Sequence, residues 1–176
     1  MSKFISVIIP LPEMEYYIQD YRFKYDFFAK KGIPVHITLL YEISPNKYYN
    51  KRKMLINIFE KILQILNKKE LIINKIIVKK NLFGLGLKND DELLLNKLQH
   101  NLINFLDIQN KRYYNNNFKP HITIFTGNDN VGWKNKDIIE KKMNNKLPIK
   151  INIDKIWVLE IDKVKNIASI VDIIIL

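Results

Sequence analysis

The feature that most constrains this chain is an internal repeat. Ile33–Leu40 reads IPVHITLL, and Phe118–Phe125, which lies 85 residues further on, reads FKPHITIF. Both copies contain a proline, then His-Ile-Thr, then two large apolar residues. A duplicated unit of this kind defines the architecture of a fold. The repeat therefore predicts two related strands, each preceded by a helix, that meet near a pseudo-twofold axis.

Strand periodicity decides where the polar side chains of the repeat point. Side chains at i and i+2 share one face of a strand, so His36 projects with Thr38, and His121 with Thr123. Facing each other across a cleft, one imidazole can act as general base and the other as general acid, because a pKa near 6.5 suits both roles. The hydroxyls can donate hydrogen bonds to phosphate oxygens. This pattern predicts acid/base chemistry on a phosphodiester that requires no metal or cofactor.

Other roles for these histidines must be weighed against this one. A single His-x-Thr carries little weight, because Thr and Ile favour strands in any case. A metal site at His36 and His121 is disfavoured, since no acidic residue stands at ligand spacing beside either one. The third histidine, His100, has no repeat partner, and we expect a surface or structural role for it. The absence of cysteine excludes a disulfide scaffold, thiolate zinc sites and a cysteine nucleophile.

Length, composition and charge set the class of protein. The 176 residues suit one domain, 1–176, and a hydrophobic content of 47% supports a packed core. The apolar run at the N-terminus is too short to span a bilayer and has no cleavage site, so we expect a cytoplasmic monomer with no membrane association. The net charge is +11, of which residues 46–80 contribute +8 from ten basic and two acidic side chains. This segment favours RNA or another polyanion as partner, and a solvated helix face is the equal alternative.

Hydrophobic periodicity predicts an α+β domain of alternating strands and helices. The predicted helices span 13–31, 47–66, 90–106 and 137–145. The predicted strands span 4–10, 35–41, 71–80, 82–87, 118–126, 149–161 and 167–176. A turn is predicted at 126–129.

The two motif segments resemble the paired H-x-T/S motifs of the two-histidine (2H) phosphoesterase superfamily, especially its 2′-5′ RNA ligase-like and cyclic phosphodiesterase branch. The resemblance extends over nearly the whole chain and includes the Gly84–Leu87 strand. It implies a bilobal α+β fold, in which two pseudo-twofold-related lobes with antiparallel sheets, flanked by helices, surround a central cleft. It also implies metal-independent chemistry, without cofactors, on RNA 2′,3′-cyclic phosphates, 2′-5′ linkages, cyclic nucleotides or ADP-ribose cyclic phosphates. By this resemblance, His36 and His121 carry acid/base catalysis, and Thr38 and Thr123 bind phosphate.

Recognition of the base is expected to come from aromatic rings, because stacking contributes about 1–3 kcal/mol per base. Phe125 is the first choice, since simple alternation places it on the face of His121 and Thr123. Packing in the core is the alternative for every aromatic candidate. The other aromatic candidates are Tyr41, Phe83, Tyr113, Tyr114 and Trp133, and the cations expected near neighbouring phosphates are Lys119, Arg112 and Lys88.

Three functions remain open on the sequence alone. The first is a phosphodiesterase that opens a 2′,3′-cyclic phosphate or cleaves a 2′-5′ linkage in RNA, an oligonucleotide or a cyclic nucleotide. The second is a 2′-5′ RNA ligase that runs the reverse transesterification with the same residues. The third is a non-catalytic RNA-binding module that uses the basic segment.

Overall fold

A computed structural model describes residues 2–25, 29, 32–68, 70–108, 118–127 and 130–176. Its helices are α1 (Pro12–Tyr25), α2 (Pro45–Leu66), α3 (Asn89–Leu106), α4 (Asn130–Lys134) and α5 (Lys136–Asn144). Its strands are β1 (Lys3–Pro10), β2 (His36–Ile43), β3 (Leu71–Lys79), β4 (Leu82–Leu87), β5 (His121–Thr126), β6 (Ile149–Ile151), β7 (Lys155–Asp162) and β8 (Ile167–Ile175). None of the described helices is long and apolar enough to cross a membrane.

All of the described strands join one antiparallel sheet in the order β6-β3-β4-β5-β2-β1-β7-β8. The two central strands, β5 and β2, carry the two copies of the repeat and pair through Ile122 and Ile37. The sheet therefore consists of two four-stranded halves, β2-β1-β7-β8 and β5-β4-β3-β6, which meet at the motif strands. The predicted α+β fold class is confirmed.

The two halves repeat the same local unit, a strand, a helix and a motif strand. These units are β1-α1-β2 and β4-α3-β5. Helix α1 packs against β5, and helix α3 packs against β2, so each helix reaches into the opposite half. These two contacts reinforce the junction between the motif strands, where the strand pairing is short.

The main core lies between one face of the sheet and the helices. In α2, the apolar residues at helical spacing are buried, including Leu55, Phe59 and Leu63. Helix α2 covers β1, β7 and β8. It is fixed to β8 by Tyr48 and Arg52, whose hydroxyl and guanidinium both donate hydrogen bonds to the Asp172 carboxylate.

The basic segment is partly used to hold the fold together. On α2, the Lys47 ammonium donates to the Asp107 carbonyl at 2.5 Å, and the Lys51 ammonium donates to the Phe105 carbonyl at 2.7 Å. These carbonyls lie at the C-terminal end of α3, where the helix dipole favours a cation. Two further cations of the segment form ion pairs: Arg52–Asp172 and Lys75–Glu92. At least four of its basic side chains therefore have structural partners among the described residues.

The structure differs from the predicted elements in the C-terminal third of the chain. A helix at Asn130–Lys134 follows the predicted turn and was not expected. The predicted strand 149–161 is two strands, because β6 pairs with β3 at one edge of the sheet, whereas β7 pairs with β1 in the other half. Ile153, which lies in the connection between β6 and β7, is also buried, so the alternation of apolar residues continues from one strand into the next. Hydrophobicity alone therefore did not reveal that the chain crosses between the two halves here.

Candidate active site

The pairing of the central strands brings the two motifs together. Because β2 and β5 are antiparallel with Ile37 opposite Ile122, His36 lies opposite Thr123 and Thr38 lies opposite His121. Side chains directly opposite each other have Cβ atoms about 4.5–5.5 Å apart, and diagonal neighbours about 7–8 Å apart. Each histidine therefore stands beside the threonine of the other copy, and the two imidazoles are diagonal neighbours.

Both imidazoles are oriented by the same kind of hydrogen bond. The Nδ1 atom of His36 lies 2.7 Å from the Pro34 carbonyl oxygen, and Nδ1 of His121 lies 2.8 Å from the Lys119 carbonyl oxygen. A carbonyl can only accept, so the proton of each neutral ring is on Nδ1. The Nε2 atom of each ring is then left with its lone pair available to a ligand.

The electrostatic environment favours neutral imidazoles. Burial lowers the pKa of His36 to about 4, and the positive charges of Arg22 and His121 act in the same direction, whereas the hydrogen bond to Pro34 opposes them. Burial also lowers the pKa of His121, with a contribution from the Lys79 ammonium, against the hydrogen bond to Lys119. Both rings are therefore expected to be neutral near pH 7 in the absence of an anion.

An open cleft with a cavity of about 100 Å³ lies on the face of the sheet opposite the helices. His36, Thr38 and Thr123 line this cavity, whereas His121 stands beside it and is not one of its lining residues. Its wall in the β1/β7 half is apolar and includes Ile8 and Leu159. This wall belongs to a small apolar cluster that is separate from the main core: Phe4, Ile8, Ile33, Leu159 and Ile161, with Tyr41, Trp157 and Ala168 packed against it.

Each motif strand contains a β-bulge directly after its threonine. In β2, Leu40 pairs with Val7 and Thr38 pairs with Ile8, which leaves Leu39 as the extra residue. In β5, Ile124 is the extra residue, because its neighbours on either side pair with adjacent residues of β4: Phe125 with Phe83, and Thr123 with Gly84. Leu39 and Ile124 are equivalent positions in the repeat. The duplication therefore preserves the bulge as well as the motif.

The bulge overturns one prediction about substrate contacts. Phe125 does not share the face of His121 and Thr123, because the extra residue reverses the alternation, and its side chain is 0% exposed. It stacks on Phe83, which is also fully buried, with ring centroids 4.8 Å apart, and Trp133 packs edge-on against it. Phe83 and Phe125 are thus core residues in this structure.

Tyr41 behaves differently, because it follows the bulge of β2 by one further residue. Its ring returns to the cleft face, lines the cavity and packs edge-on against Phe4 with centroids 4.9 Å apart. Lys119 is exposed directly before β5. Lys88 precedes α3, with its ammonium 4.0 Å from Asp90.

The remaining predicted contacts, Arg112, Tyr113 and Tyr114, lie outside the described residues and stay predictions. His100 is exposed on α3, as expected.

Two residues that the sequence did not single out hold the bulge of β2. The Ser6 hydroxyl on β1 lines the cleft and donates to the Leu40 carbonyl at 3.1 Å. The Gln99 amide on α3 is buried and donates to the Leu39 carbonyl at 2.9 Å. A polar residue within an apolar strand or on the buried face of a helix is the signal that could have identified them. Together they satisfy the carbonyls that the bulge removes from the ladder.

The acidic residues of the described structure do not gather around the histidines. Across the parts of the chain that the structure describes, no group of three or more His, Cys, Asp or Glu side chains is arranged to hold a metal ion. The polar side chains that line the cleft include the His36 imidazole and the hydroxyl groups of Ser6, Thr38, Tyr41 and Thr123.

The family model of the 2′-5′ RNA ligase superfamily matches residues 10–165. The chain belongs to this superfamily. The 2′-5′ RNA ligase superfamily consists of phosphoesterases, so the resemblance to the 2H phosphoesterases is confirmed. No curated protein sequence matches the chain significantly.

Solved structures show the same fold. The crystal structure of E. coli LigT complexed with 3′-AMP is 17% identical, with a TM-score of 0.55 over 99% of this chain and 98% of that one. A crystal structure of a phosphoesterase is 16% identical, with a TM-score of 0.52 over 100% and 99% of the two chains. Membership of the 2′-5′ RNA ligase superfamily is thus consistent with the architecture of the whole chain.

Proposed function

We propose that this protein is a metal-independent phosphodiesterase that acts on RNA or nucleotide phosphodiesters, either opening a 2′,3′-cyclic phosphate or cleaving a 2′-5′ linkage. The observation that supports the proposal is the pairing of β2 with β5. It sets two imidazoles with available Nε2 atoms diagonally across the junction of the two motif strands, each beside the threonine of the other copy. This is the arrangement that an in-line displacement at phosphorus requires of a general base and a general acid.

We assign His36 as the general base and His121 as the general acid. With a pKa of about 4, His36 is neutral at physiological pH and can accept the proton of an attacking water. His121 is somewhat less deeply buried than His36, so it is the better placed of the two to carry a proton once a phosphate anion is bound nearby. In the opening of a cyclic phosphate, water adds to phosphorus, one ribose–oxygen bond to phosphorus breaks, and His121 protonates the departing ribose oxygen.

Thr38 and Thr123 are assigned to the phosphate. Their hydroxyls line the cleft on the two strands that carry the histidines. Hydrogen bonds from fixed donors to the non-bridging oxygens strengthen as negative charge grows in the transition state, and the loss of one such donor typically costs a factor of about 10²–10³ in rate. The hydroxyls therefore supply stabilisation without a cation.

The nucleoside is assigned to the apolar wall. Tyr41 offers a partly exposed ring in the cleft, and Ile8 and Leu159 provide apolar surface next to it. A base can pack there without base-specific hydrogen bonds, which suits recognition of more than one base. Lys119, and Arg112 and Tyr113 outside the described residues, remain candidates for contacts further along the substrate.

The proposal is tested with RNA oligonucleotides ending in a 2′,3′-cyclic phosphate and with 2′-5′ and 3′-5′ linked oligoadenylates. We expect turnover of a cyclic phosphate or a 2′-5′ linkage, and a loss of about 10²–10⁴ in kcat for both His36→Ala and His121→Ala. His100→Ala is the matched control, because this histidine is exposed on α3, and its activity should equal that of the wild type. Full activity in either motif variant would contradict the mechanism. RNA binding that is kept when both histidines are replaced, with no turnover by any form of the protein, would favour a binding module.

The name of the superfamily makes RNA ligation the second candidate. By microscopic reversibility, the same base and acid serve the reverse transesterification, in which a 5′-hydroxyl attacks a 2′,3′-cyclic phosphate. Incubation of RNA fragments bearing these two ends, followed by analysis of the product length, separates ligation from hydrolysis.

A further inference from the structure

Strand β2 contains a second bulge, in which Tyr41 and Glu42 together stand opposite one residue of β1, Ser6. The ladder pairs on either side define it: Leu40 with Val7, and Ile43 with Ile5. This second extra residue restores the alternation of side chains that the first bulge reversed. Leu40 and Ile43 are therefore both buried in the main core, although two residues lie between them.

The second bulge keeps a carboxylate out of the main core. On a regular strand, Glu42 would alternate with Tyr41 and point into the core, where an unpaired charge is costly. In the structure, Tyr41 lines the cavity, and the Glu42 carboxylate accepts a hydrogen bond from the Lys163 ammonium in the turn between β7 and β8. The Glu42 side chain is 23% exposed. The two residues of the bulge are thus a ring in the cavity wall and an ion pair beside it.

The bulge requires a backbone conformation that glutamate disfavours. Glu42 has a φ of 56°, in the left-handed region where glycine is the usual residue. The equivalent position in the other copy of the repeat is Gly127, 85 residues further on, and its φ lies outside that region. The duplication therefore does not impose this conformation on Glu42. Strained residues persist where their surroundings determine their conformation, and they cluster at functional sites.

The cation that pairs with Glu42 also contacts the aromatic neighbour of Tyr41. The Lys163 ammonium lies 4.9 Å from the centre of the Phe4 ring, which is within the range of a cation–π interaction. Phe4 is 3% exposed and packs edge-on against Tyr41, with ring centroids 4.9 Å apart. Tyr41 is thus held by the backbone of Glu42 on one side and by the Phe4 ring on the other, and Lys163 contacts both of these residues.

The turn that carries Lys163 is itself fixed by hydrogen bonds. The Asp162 carboxylate accepts from the backbone N–H groups of Val164 and Lys165, at 2.9 and 3.0 Å. The backbone N–H of Lys163 donates to the Ser2 carbonyl at 2.8 Å. An ordered backbone limits the positions that the ammonium can reach, so less conformational entropy is lost when the ion pair forms.

We propose that Glu42 and Lys163 are positioning residues, which hold the Tyr41 ring at the cavity wall in the orientation that stacks on the base of the substrate. This inference rests on the proposed function, because it takes the nucleoside to pack on the apolar wall beside Tyr41. A ring that is already ordered loses less rotamer freedom when a base stacks on it, and the affinity is higher for that reason. Glu42 and Lys163 act through Tyr41 and do not touch the substrate.

The proposal is tested by equilibrium binding of adenosine 3′-monophosphate and of ribose 3-phosphate, which lacks the base. Tyr41→Leu removes the ring and should raise Kd for the nucleotide about tenfold, as expected for one stacking contact. Lys163→Met keeps an apolar chain of similar length and should raise this Kd about threefold, because the ring is then less ordered. Kd for ribose 3-phosphate should stay within about twofold of the wild type in both variants.

A double-mutant cycle measures whether Lys163 acts through Tyr41. In the Tyr41→Leu background, Lys163→Met should leave Kd for the nucleotide within about twofold. Lys163→Arg keeps a cation beside Phe4 and Glu42, and it should bind like the wild type. Lys165→Met is the matched control, because this lysine is exposed in the same turn and its replacement removes the same charge. Its Kd should equal that of the wild type.

Two substitutions of Glu42 separate affinity from stability. Glu42→Gly and Glu42→Ala both remove the carboxylate, but only glycine readily adopts a φ of 56°. The Tm of Glu42→Gly should therefore exceed that of Glu42→Ala by about 2–4 °C. Both variants should nevertheless raise Kd for the nucleotide about threefold, because both lose the contact with Lys163. A purely structural role would instead make Kd follow Tm.

The results that would overturn the proposal are distinct. An effect of Lys163→Met that persists without the Tyr41 ring, or that is equal for both ligands, would indicate direct contact of this lysine with the phosphate. Unchanged affinity in Lys163→Met would remove its positioning role. If the wild type bound the nucleotide no more tightly than ribose 3-phosphate, no base would rest on the wall. Absence of turnover in the substrate panel would instead refute the proposed function, and the binding cycle would still decide the roles of Glu42 and Lys163.

Discussion

Replacement of Gly84 by alanine tests the close approach of β4 to the bulge of β5. The added Cβ atom would lie 2.4 Å from the Ile122 carbonyl oxygen and 3.3 Å from its carbonyl carbon. Ordinary contacts of a Cβ atom begin at about 3.4 Å, so the two strands must separate locally by about 1 Å. Both partners are backbone atoms in the middle of a sheet, and neither can turn aside by changing a rotamer.

The expected cost follows from this geometry. Overpacking that forces a backbone shift costs about 1–3 kcal/mol, and we expect the upper part of this range because no side chain can absorb the clash. For a chain of this length, each kcal/mol lowers Tm by about 2–4 °C, so Gly84→Ala should lower Tm by roughly 4–12 °C. Gly84 also stands across from Thr123, and a misplacement of about 1 Å at a reacting group can cost about 10²-fold in rate.

Thermal unfolding followed by circular dichroism, together with kcat/KM on the substrate identified by the panel, measures both effects. Gly86→Ala is the matched control, because its Cβ atom would meet only the side chains of Lys75 and Ile77, which can move. We expect its Tm to change by less than about 3 °C. A Tm for Gly84→Ala within 2 °C of the wild type, or a larger loss in Gly86→Ala, would refute the reasoning.

Four further predictions concern the motifs and the proposed mechanism. Because the pKa of His36 is lower in the folded chain than in the unfolded one, the unfolded chain binds more protons. The free energy of unfolding should therefore fall as the pH drops from about 6.5 to about 4, and His36 should contribute up to about 3 kcal/mol to this fall. Urea titrations at several pH values measure the effect, and His36→Asn should remove the contribution of this residue. By the same assignment, kcat/KM should rise as the pH increases through about 4, because His36 loses its proton there. At higher pH, kcat/KM should decline as His121 loses its proton, since the pKa of His121 lies below its usual value of 6.5. An optimum above pH 7.5 would contradict the assignment. Treatment with EDTA should change kcat/KM by less than twofold, whereas inhibition reversed by added metal would reject the metal-independent scheme. Thr38→Val and Thr123→Val should each lower kcat by at least about tenfold at unchanged Tm, and a rate equal to the wild type would remove that hydroxyl from the phosphate site.

The repeat predicted the central strands and the residues that meet there, because the alternation of a strand up to the first irregularity depends on local sequence alone. His36 and Thr38, and His121 and Thr123, therefore lie as expected with respect to each other. Helices α2 and α3 could also be predicted from the sequence, because the apolar residues of each recur at helical spacing and form a continuous face towards the sheet. What the sequence could not specify was the pairing of distant strands, such as β7 beside β1 and β6 beside β3.

The bulge explains why the prediction for Phe125 was wrong. Two large apolar residues follow the threonine in both copies, and on a regular strand one of them would face the cleft. In the structure both are buried, because the extra residue allows Leu39 and Leu40, and likewise Ile124 and Phe125, to contribute to the core together. An adjacent pair of apolar residues at the same place in both copies was the available signal for an irregular strand.

The order of the strands also determines when the cleft can form. The half that carries His121 is built from one continuous stretch, with β3, β4, β5 and β6 all within residues 71–151. The half that carries His36 needs β1 and β2 from the beginning of the sequence and β7 and β8 from its end. Because synthesis proceeds from the N-terminus, the strands of the half that carries His121 are all available before β7 and β8 are made. Until then, strand β1 of the half that carries His36 has no partner strand on its β7 side. The sheet around His36 is therefore completed only after β7 and β8 have been synthesised.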